Sequence, residues 1–287
     1  MSQLRVTTLG PKGTHSETAA RNYTQLMGCE LGELSFALTG ECLARVWRGE
    51  ADLAVLPGEN SVDGLIGVTY DALLEFHPAI RVIDQLSLPI EHVLAAASFV
   101  PPETLHRIYS HPSALNQCSR TLGQIAPGAE LIAVGSTAEA AARIMAGTEE
   151  RAAAVCSAGA AAARGLLVLR ENIGDYPRNQ TRFFICGRER ALRGGEGQTL
   201  IAVHYGKNQP GQLYRTAEAF ASRGVDLTSV HSRPDKTGPH SYILFFEATG
   251  RAEEPSVAGA LQEIGSQVAQ TGGWLKILGC FPTRSEA

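Results

Sequence analysis

The chain has no Cys-x-x-Cys pair. Its six cysteines, Cys29, Cys42, Cys118, Cys156, Cys186 and Cys280, are scattered, so neither a zinc site nor a disulfide framework is expected. No apolar run approaches the length of a membrane span, and Met1 to Val6 is polar and too short for a signal-peptide core; a cytoplasmic protein with reduced thiols is expected. The net charge of -4 gives no reason to expect nucleic acid or an acidic membrane as a partner. There is no internal repeat and no low-complexity tract beyond a few alanines. What remains is an ordinary globular composition, 44% hydrophobic and 19% charged, in 287 residues that leave room for two domains.

The first three quarters alternate strand and helix patterns, which predicts α/β layering. Arg5 to Leu9 reads as a strand, followed by a Gly-Pro-Lys-Gly turn and a helix through Glu17 to Ala20. Asp52 to Leu56 reads as a buried strand closed by Pro57-Gly58. Ile80 to Asp84 and Ile90 to Ala97 follow as strands, their continuity suggesting a crossing between two lobes, then Ile108 to Ser110 and a helix over Pro112 to Leu122. Ser136 caps the next helix with Glu139 returning the bond, and Ala152 to Cys156 precedes an alanine-rich helix over Ala158 to Arg164. From Gly187 to Gln198 the composition shifts to Arg, Glu and Gly, as in a linker. Beyond it, strands and helices in the order β-α-β-β-α-β predict a ferredoxin-like domain.

Four polar clusters sit at element boundaries. Asn179-Gln180-Thr181-Arg182-Phe183-Phe184 enters an apolar strand, where Arg182 offers a fork for a carboxylate and Thr181 a hydroxyl of restricted rotamers. The plainer alternative is a strand start with a surface arginine. Gly10 to Ser16 is either a simple turn with a helix cap or an anion cradle with the hydroxyls of Thr14 and Ser16. Its glycine spacing fits neither a Walker loop nor a dinucleotide fingerprint, so nucleotide binding is not expected. Asn60 and Ser61 follow a strand at its carboxyl end, where ligands of open α/β sheets tend to bind, or form an ordinary turn. His111 precedes Pro112 at a helix start, which favours its neutral form; Cys118 lies nearby without an acid partner to make a nucleophilic pair. Together these clusters suit a small polyanion and not a metal.

The sequence resembles the prephenate dehydratase family from about Val6 to about Phe281. Gly10 to Ser16, Pro57 to Ser61, His111 to Cys118, Ser136 to Ala141 and Asn179 to Phe183 stand for its five motifs, in order, and the C-terminal part resembles an ACT domain. The resemblance implies a two-lobed catalytic domain of the periplasmic-binding-protein type over 1–188, with lobe one about 1–80 and 168–188 and lobe two about 81–167, then a linker at 189–198 and an ACT domain over 199–287. It implies conversion of prephenate to phenylpyruvate without a cofactor, with Thr181 as the catalytic donor. Thr14, Ser16, Asn60, Ser61, His111, Gln117, Arg182 and Phe183 are the substrate-binding residues it implies. For phenylalanine, the regulatory ligand, it implies Gly211, Gln212, Leu213, His231, Ser232, Arg233 and Pro234. A homodimer or homotetramer is expected, since a lone ferredoxin-like sheet leaves an edge to cover.

Two departures stand out. His15 replaces the family's Phe or Tyr beside the substrate, either as a ring substitute or as a change in proton supply. Gln212 and His231 replace Ala and Glu in the phenylalanine site, so inhibition is expected to depend on pH. Relatives of the fold act on arogenate or decarboxylate prephenate without aromatising it, and a non-catalytic binding protein is the rival of another class.

Overall fold

The structure is a computed structural model that describes residues 3–147, 149–188, 196–238 and 240–283. The chain opens with β1 (Gln3–Leu9), α1 (His15–Leu26), β2 (Glu30–Ala37), α2 (Thr39–Arg48), β3 (Leu53–Asn60), β4 (Gly64–Leu65), α3 (Gly67–Phe76) and β5 (Arg81–Pro89). It continues with β6 (Val93–Ala96), β7 (Arg107–Ser110), α4 (Pro112–Gln117), α5 (Ser119–Ile125), β8 (Glu130–Ala133), α6 (Thr137–Met145), β9 (Ala152–Cys156), α7 (Ala158–Ala163), β10 (Leu167–Arg170) and β11 (Gln180–Gly187). The last part holds β12 (Gly197–His204), α8 (Gln212–Ala221), β13 (Leu227–Pro234), β14 (Tyr242–Thr249), α9 (Pro255–Gln270) and β15 (Trp274–Pro282). Two compact units emerge: 1–38, 55–66 and 87–183 form the first, and 39–54, 67–86 and 184–287 the second.

The first unit holds two sheets. In one, β1 pairs in parallel with β2, and β3 and then β11 follow on the other side of β1. The other has the order β10-β6-β9-β7-β8, mixing parallel and antiparallel pairs. Strand β9 shows how its core is made. Every residue from Ala152 to Cys156 is buried, and their period-two alternation divides them between two apolar clusters. Ala152, Ala154 and Cys156 pack with Ala140, Ile144 and Ala160 on one face. Ala153 and Val155 pack with Leu115 and Leu122 on the other. Small side chains in the strand let helices lie close on both faces. A sheet covered twice presents only its strand ends to ligands.

The second unit contains the expected ferredoxin-like arrangement. Strand β12 lies between β14 and β15, with β13 outside β14, all antiparallel. Ile201, Val203 and Phe246 from the sheet meet Phe220, Val257 and Ile264 from α8 and α9 in one apolar cluster. Helix α9 spans the range read from the sequence, with Pro255 at its first position, where the missing N–H is not needed.

At several places the structure differs from what the sequence predicts. Strand β3 does not stop at Pro57-Gly58 but runs through to Asn60, because Glu59 and Asn60 pair with Leu65 and Gly64 of β4. The helix expected over Pro112 to Leu122 is two helices that meet at Cys118, whose backbone leaves the helical region. Residues 189–195 of the expected linker lie outside the described residues, and its end is already strand. Gly197 and Gln198 pair with Pro282 and Phe281, so sheet pairing overrides a glycine-rich composition there. Glu139 does not return its bond to the capping residue; its carboxylate accepts from Gly135 N–H at 3.1 Å while Ser136 Oγ accepts from Glu139 N–H at 3.0 Å. The structure adds β2, α2, β4, α3, β8 and β10, where the sequence pattern predicts no element. Among the described residues no helix is long and apolar enough to cross a membrane.

Candidate active site

Three helix starts face one cavity of about 400 Å³ in the first unit. Helix α1 begins after Gly13, whose φ of 91° is a left-handed turn that glycine accepts without strain. Helix α4 is capped by His111, whose Nδ1 accepts from Ser113 N–H at 3.3 Å. Helix α6 begins after the Ser136 cap. Residues of all three starts line the cavity, including Thr14, His15, Ser16, His111, Ser113, Ser136 and Thr137. Helix starts leave N–H groups unpaired and carry partial positive charge, so they attract carboxylates without a cationic side chain.

A chain of side-chain hydrogen bonds along the same cavity joins distant parts of the sequence. Asn60 Nδ2 donates to Thr181 Oγ1 at 3.0 Å, to Asn179 Oδ1 at 2.8 Å and to the Gln180 carbonyl at 3.1 Å. Its Oδ1 accepts from the N–H groups of Val62 and Asp63, both at 2.9 Å. Asn179 Nδ2 donates to Gln117 Oε1 at 2.8 Å, and Gln117 Nε2 donates to Asp63 Oδ2 at 2.8 Å and to Ser113 Oγ at 3.1 Å. Ser113 also donates to Asp63 through its hydroxyl. His92 Nε2 lies 3.0 Å from Gln117 Oε1. Because Thr181 Oγ1 accepts from Asn60, its own hydrogen remains available, and no described residue takes it. Thr181 is therefore presented as a donor.

Two buried histidines here favour their neutral forms. Burial first, then the neighbouring His92, lower the His15 pKa to about 4, against a hydrogen bond to the Glu91 carbonyl that raises it. Burial also lowers that of His92, opposed by Gln117 and Asp63. The two rings meet edge to face with centroids 6.0 Å apart. Burial pushes the Cys118 thiol up to about 12, so Cys118 is an inert core residue and not a nucleophile.

Of the residues singled out from the sequence, Thr14, Ser16, Asn60, His111, Gln117, Thr181 and Phe183 line this cavity. Ser61 and Arg182 are not among its lining residues. Ser61 Oγ accepts from Gln180 N–H at 3.0 Å and ties β11 to the end of β3. Arg182 sits between Thr181 and Phe183 on β11, so the pleat turns it to the other face, where its guanidinium meets Glu59 at 2.8 Å. The sequence motifs mark neither Asp63, three residues past Asn60, nor His92, which falls within a stretch that reads as strand and in the structure directly precedes β6.

The second unit has its own cavity of about 600 Å³. Gly211, Gln212, Leu213 and Ser232 line it, whereas His231, Arg233 and Pro234 are not among the lining residues. Along β13 alternate residues face opposite ways, so Ser232 and its neighbours His231 and Arg233 cannot share a face. Arg233 instead meets Asp71 at 3.0 Å, joined by Lys236 at 2.8 Å. The Gln212 amide closes the preceding loop, donating to the Lys207 carbonyl at 2.7 Å and accepting from Gln209 N–H at 3.0 Å.

The family model for prephenate dehydratase matches residues 6–191. The chain belongs to that family. An ACT domain model matches residues 199–266. The bifunctional chorismate mutase/prephenate dehydratase of Stutzerimonas stutzeri is 34% identical over 97% of this chain and 73% of its own length. The prephenate dehydratase of Mycolicibacterium gilvum is 32% identical over 96% of this chain and 90% of its own. The crystal structure of the prephenate dehydratase of Arthrobacter aurescens in complex with L-Phe matches 97% of this chain and 89% of that one, with a TM-score of 0.84 and 33% identity. The first cavity lies within the segment that the prephenate dehydratase model matches, and the second within the ACT domain match.

Proposed function

We propose that this chain converts prephenate to phenylpyruvate in the cavity of the first unit. The observation that carries this reading is the bond from Asn60 Nδ2 to Thr181 Oγ1, which leaves the Thr181 hydrogen to point at a ligand. Prephenate loses its ring carboxylate as carbon dioxide; the electron pair of that bond enters the ring while the ring C–O bond breaks. The departing hydroxide takes a proton and leaves as water. A threonine hydroxyl is a weak acid, so Thr181 acts on the charge that develops on the leaving oxygen, as a preorganised donor. Aromatisation supplies the driving force.

The two carboxylates of prephenate find N–H groups at the starts of α1 and α6 and the hydroxyls of Thr14, Ser16 and Thr137. Neutral His15 and His92 suit a site that must discriminate by hydrogen bonds. We assign catalysis to 1–188 and regulation to 199–287 in a cytoplasmic dimer or tetramer, with phenylalanine taken up where Gly211, Leu213 and Ser232 line the second cavity. The L-Phe complex of the Arthrobacter enzyme supports that ligand.

The test is a product assay. Incubation with prephenate is expected to yield phenylpyruvate; a non-aromatic keto acid, or no product, would refute the assignment. Arogenate tested alongside sets the preference between the two substrates.

A further inference from the structure

The hydrogen-bond chain around Gln117 settles which ring nitrogen of His92 carries hydrogen. The Asp63 carboxylate can only accept, so the Gln117 group that reaches it at 2.8 Å is the amide NH₂. Gln117 Oε1 therefore faces Asn179 Nδ2 and His92 Nε2, at 2.8 and 3.0 Å, and both must donate to it. Asn179 agrees, because its own Oδ1 accepts from Asn60 Nδ2. His92 is thus an Nε2–H tautomer with a lone pair on Nδ1, and burial opposes a second proton. His92 lines the cavity, is 3% exposed, and its Nδ1 is buried without a hydrogen-bond partner among the described residues. A buried acceptor left unpaired is unfavourable, and it marks a place where a ligand must bring a donor.

Prephenate carries two carboxylates, a ketone and one ring hydroxyl, and at neutral pH only the hydroxyl donates. We propose that His92 Nδ1 accepts a hydrogen bond from the ring hydroxyl of the substrate, selecting ligands that carry it and turning its oxygen lone pairs toward the Thr181 donor. This rests on the prephenate reading above and gives the same cavity a specificity residue on the hydrogen-bond chain that also holds its catalytic one. Thr181 supplies hydrogen to the leaving oxygen, and His92 holds that oxygen's own hydrogen out of the way. Rejection of a ligand lacking the group is then strong, because the unpaired acceptor stays buried.

The experiment measures binding by calorimetry with two probes that cannot aromatise: tetrahydroprephenate and its 4-deoxy counterpart. The parent protein is expected to hold the hydroxylated compound tighter by about tenfold or more. His92→Gln keeps an amide nitrogen for Gln117 but loses the Nδ1 acceptor, so the preference should fall to about twofold or less with affinity for the deoxy compound retained. His92→Asn places an amide oxygen near the Nδ1 position and should restore part of the preference. Equal affinities in the parent, no binding of either probe, or a preference undiminished in a folded His92→Gln protein would overturn the proposal. Should both variants fail to fold in thermal melts, the parent comparison decides alone. Binding is read without turnover: a parent that prefers the hydroxyl but makes no phenylpyruvate refutes the reaction and keeps the hydrogen bond. The reverse result refutes the hydrogen bond alone.

Discussion

Asn60 donates through Nδ2 to Thr181 Oγ1 at 3.0 Å, joining the end of β3 to the start of β11 across 121 positions of sequence. That bond orients the hydroxyl that the proposed reaction uses. Thr181→Ala should lower turnover by about 10²–10³, the loss seen when one transition-state donor is removed, with little change in substrate affinity. Asn60→Ala should cost about a hundredfold, since Thr181 keeps its hydroxyl but loses its aim. Steady-state phenylpyruvate formation by the two folded variants checks both; near-normal turnover in Thr181→Ala would remove it from the mechanism.

Arg182 and Glu59 form a half-buried pair at 2.8 Å, off the cavity lining. Arg182→Lys is therefore expected to act on stability, by about 1 kcal/mol, because an ammonium cannot reproduce the planar fork. Its Michaelis constant should stay near the parent value. A tenfold rise would place Arg182 on a substrate carboxylate, as the sequence alone suggests.

His15 is held neutral, with its pKa lowered to about 4 by burial and by His92. An unfolded chain takes up that proton at its ordinary value of 6.5, so between 6.5 and about 4 the unfolded state binds more protons than the folded one. Stability then falls as pH drops through this window and levels off below it. His15→Phe should flatten the acid limb of thermal melts recorded from pH 7 to pH 4. A parent whose melting temperature is constant over that range would contradict the assignment.

In the second unit, the residues lining the cavity predict how phenylalanine sensitivity responds to substitution. His231 is not among them, so His231→Glu should change the inhibition constant by no more than about twofold, as for a substitution away from a binding surface. Gln212→Ala unties the loop from Lys207 to Gln209 and should weaken inhibition several-fold. Phenylalanine titrations of activity in the three proteins compare them directly. A large effect of His231→Glu would restore the pH-dependent site read from the sequence.

Local signals carried far in this chain. Helix caps at His111 and Ser136 were legible because capping needs only a few adjacent residues, and α9 because proline marks its start. The α/β alternation, the ferredoxin-like order and the polar boundary clusters were legible for the same reason: each is a period or a short motif. What the sequence could not decide is whatever depends on pairing between distant segments. Strand β3 runs past Pro57 because β4 folds back to meet it, and Gly197 is strand because β15 lies beside it. Arg182 and Thr181 are neighbours in sequence with opposite faces in the sheet. His92 has no motif around it; it acquires its tautomer and its unpaired nitrogen from Gln117, whose orientation comes from Asp63, 54 positions away. Sequence determined which chemistry was available in this protein. Tertiary structure decided which atoms face it, because hydrogen-bond direction and strand facing are set by partners that only folding brings within reach.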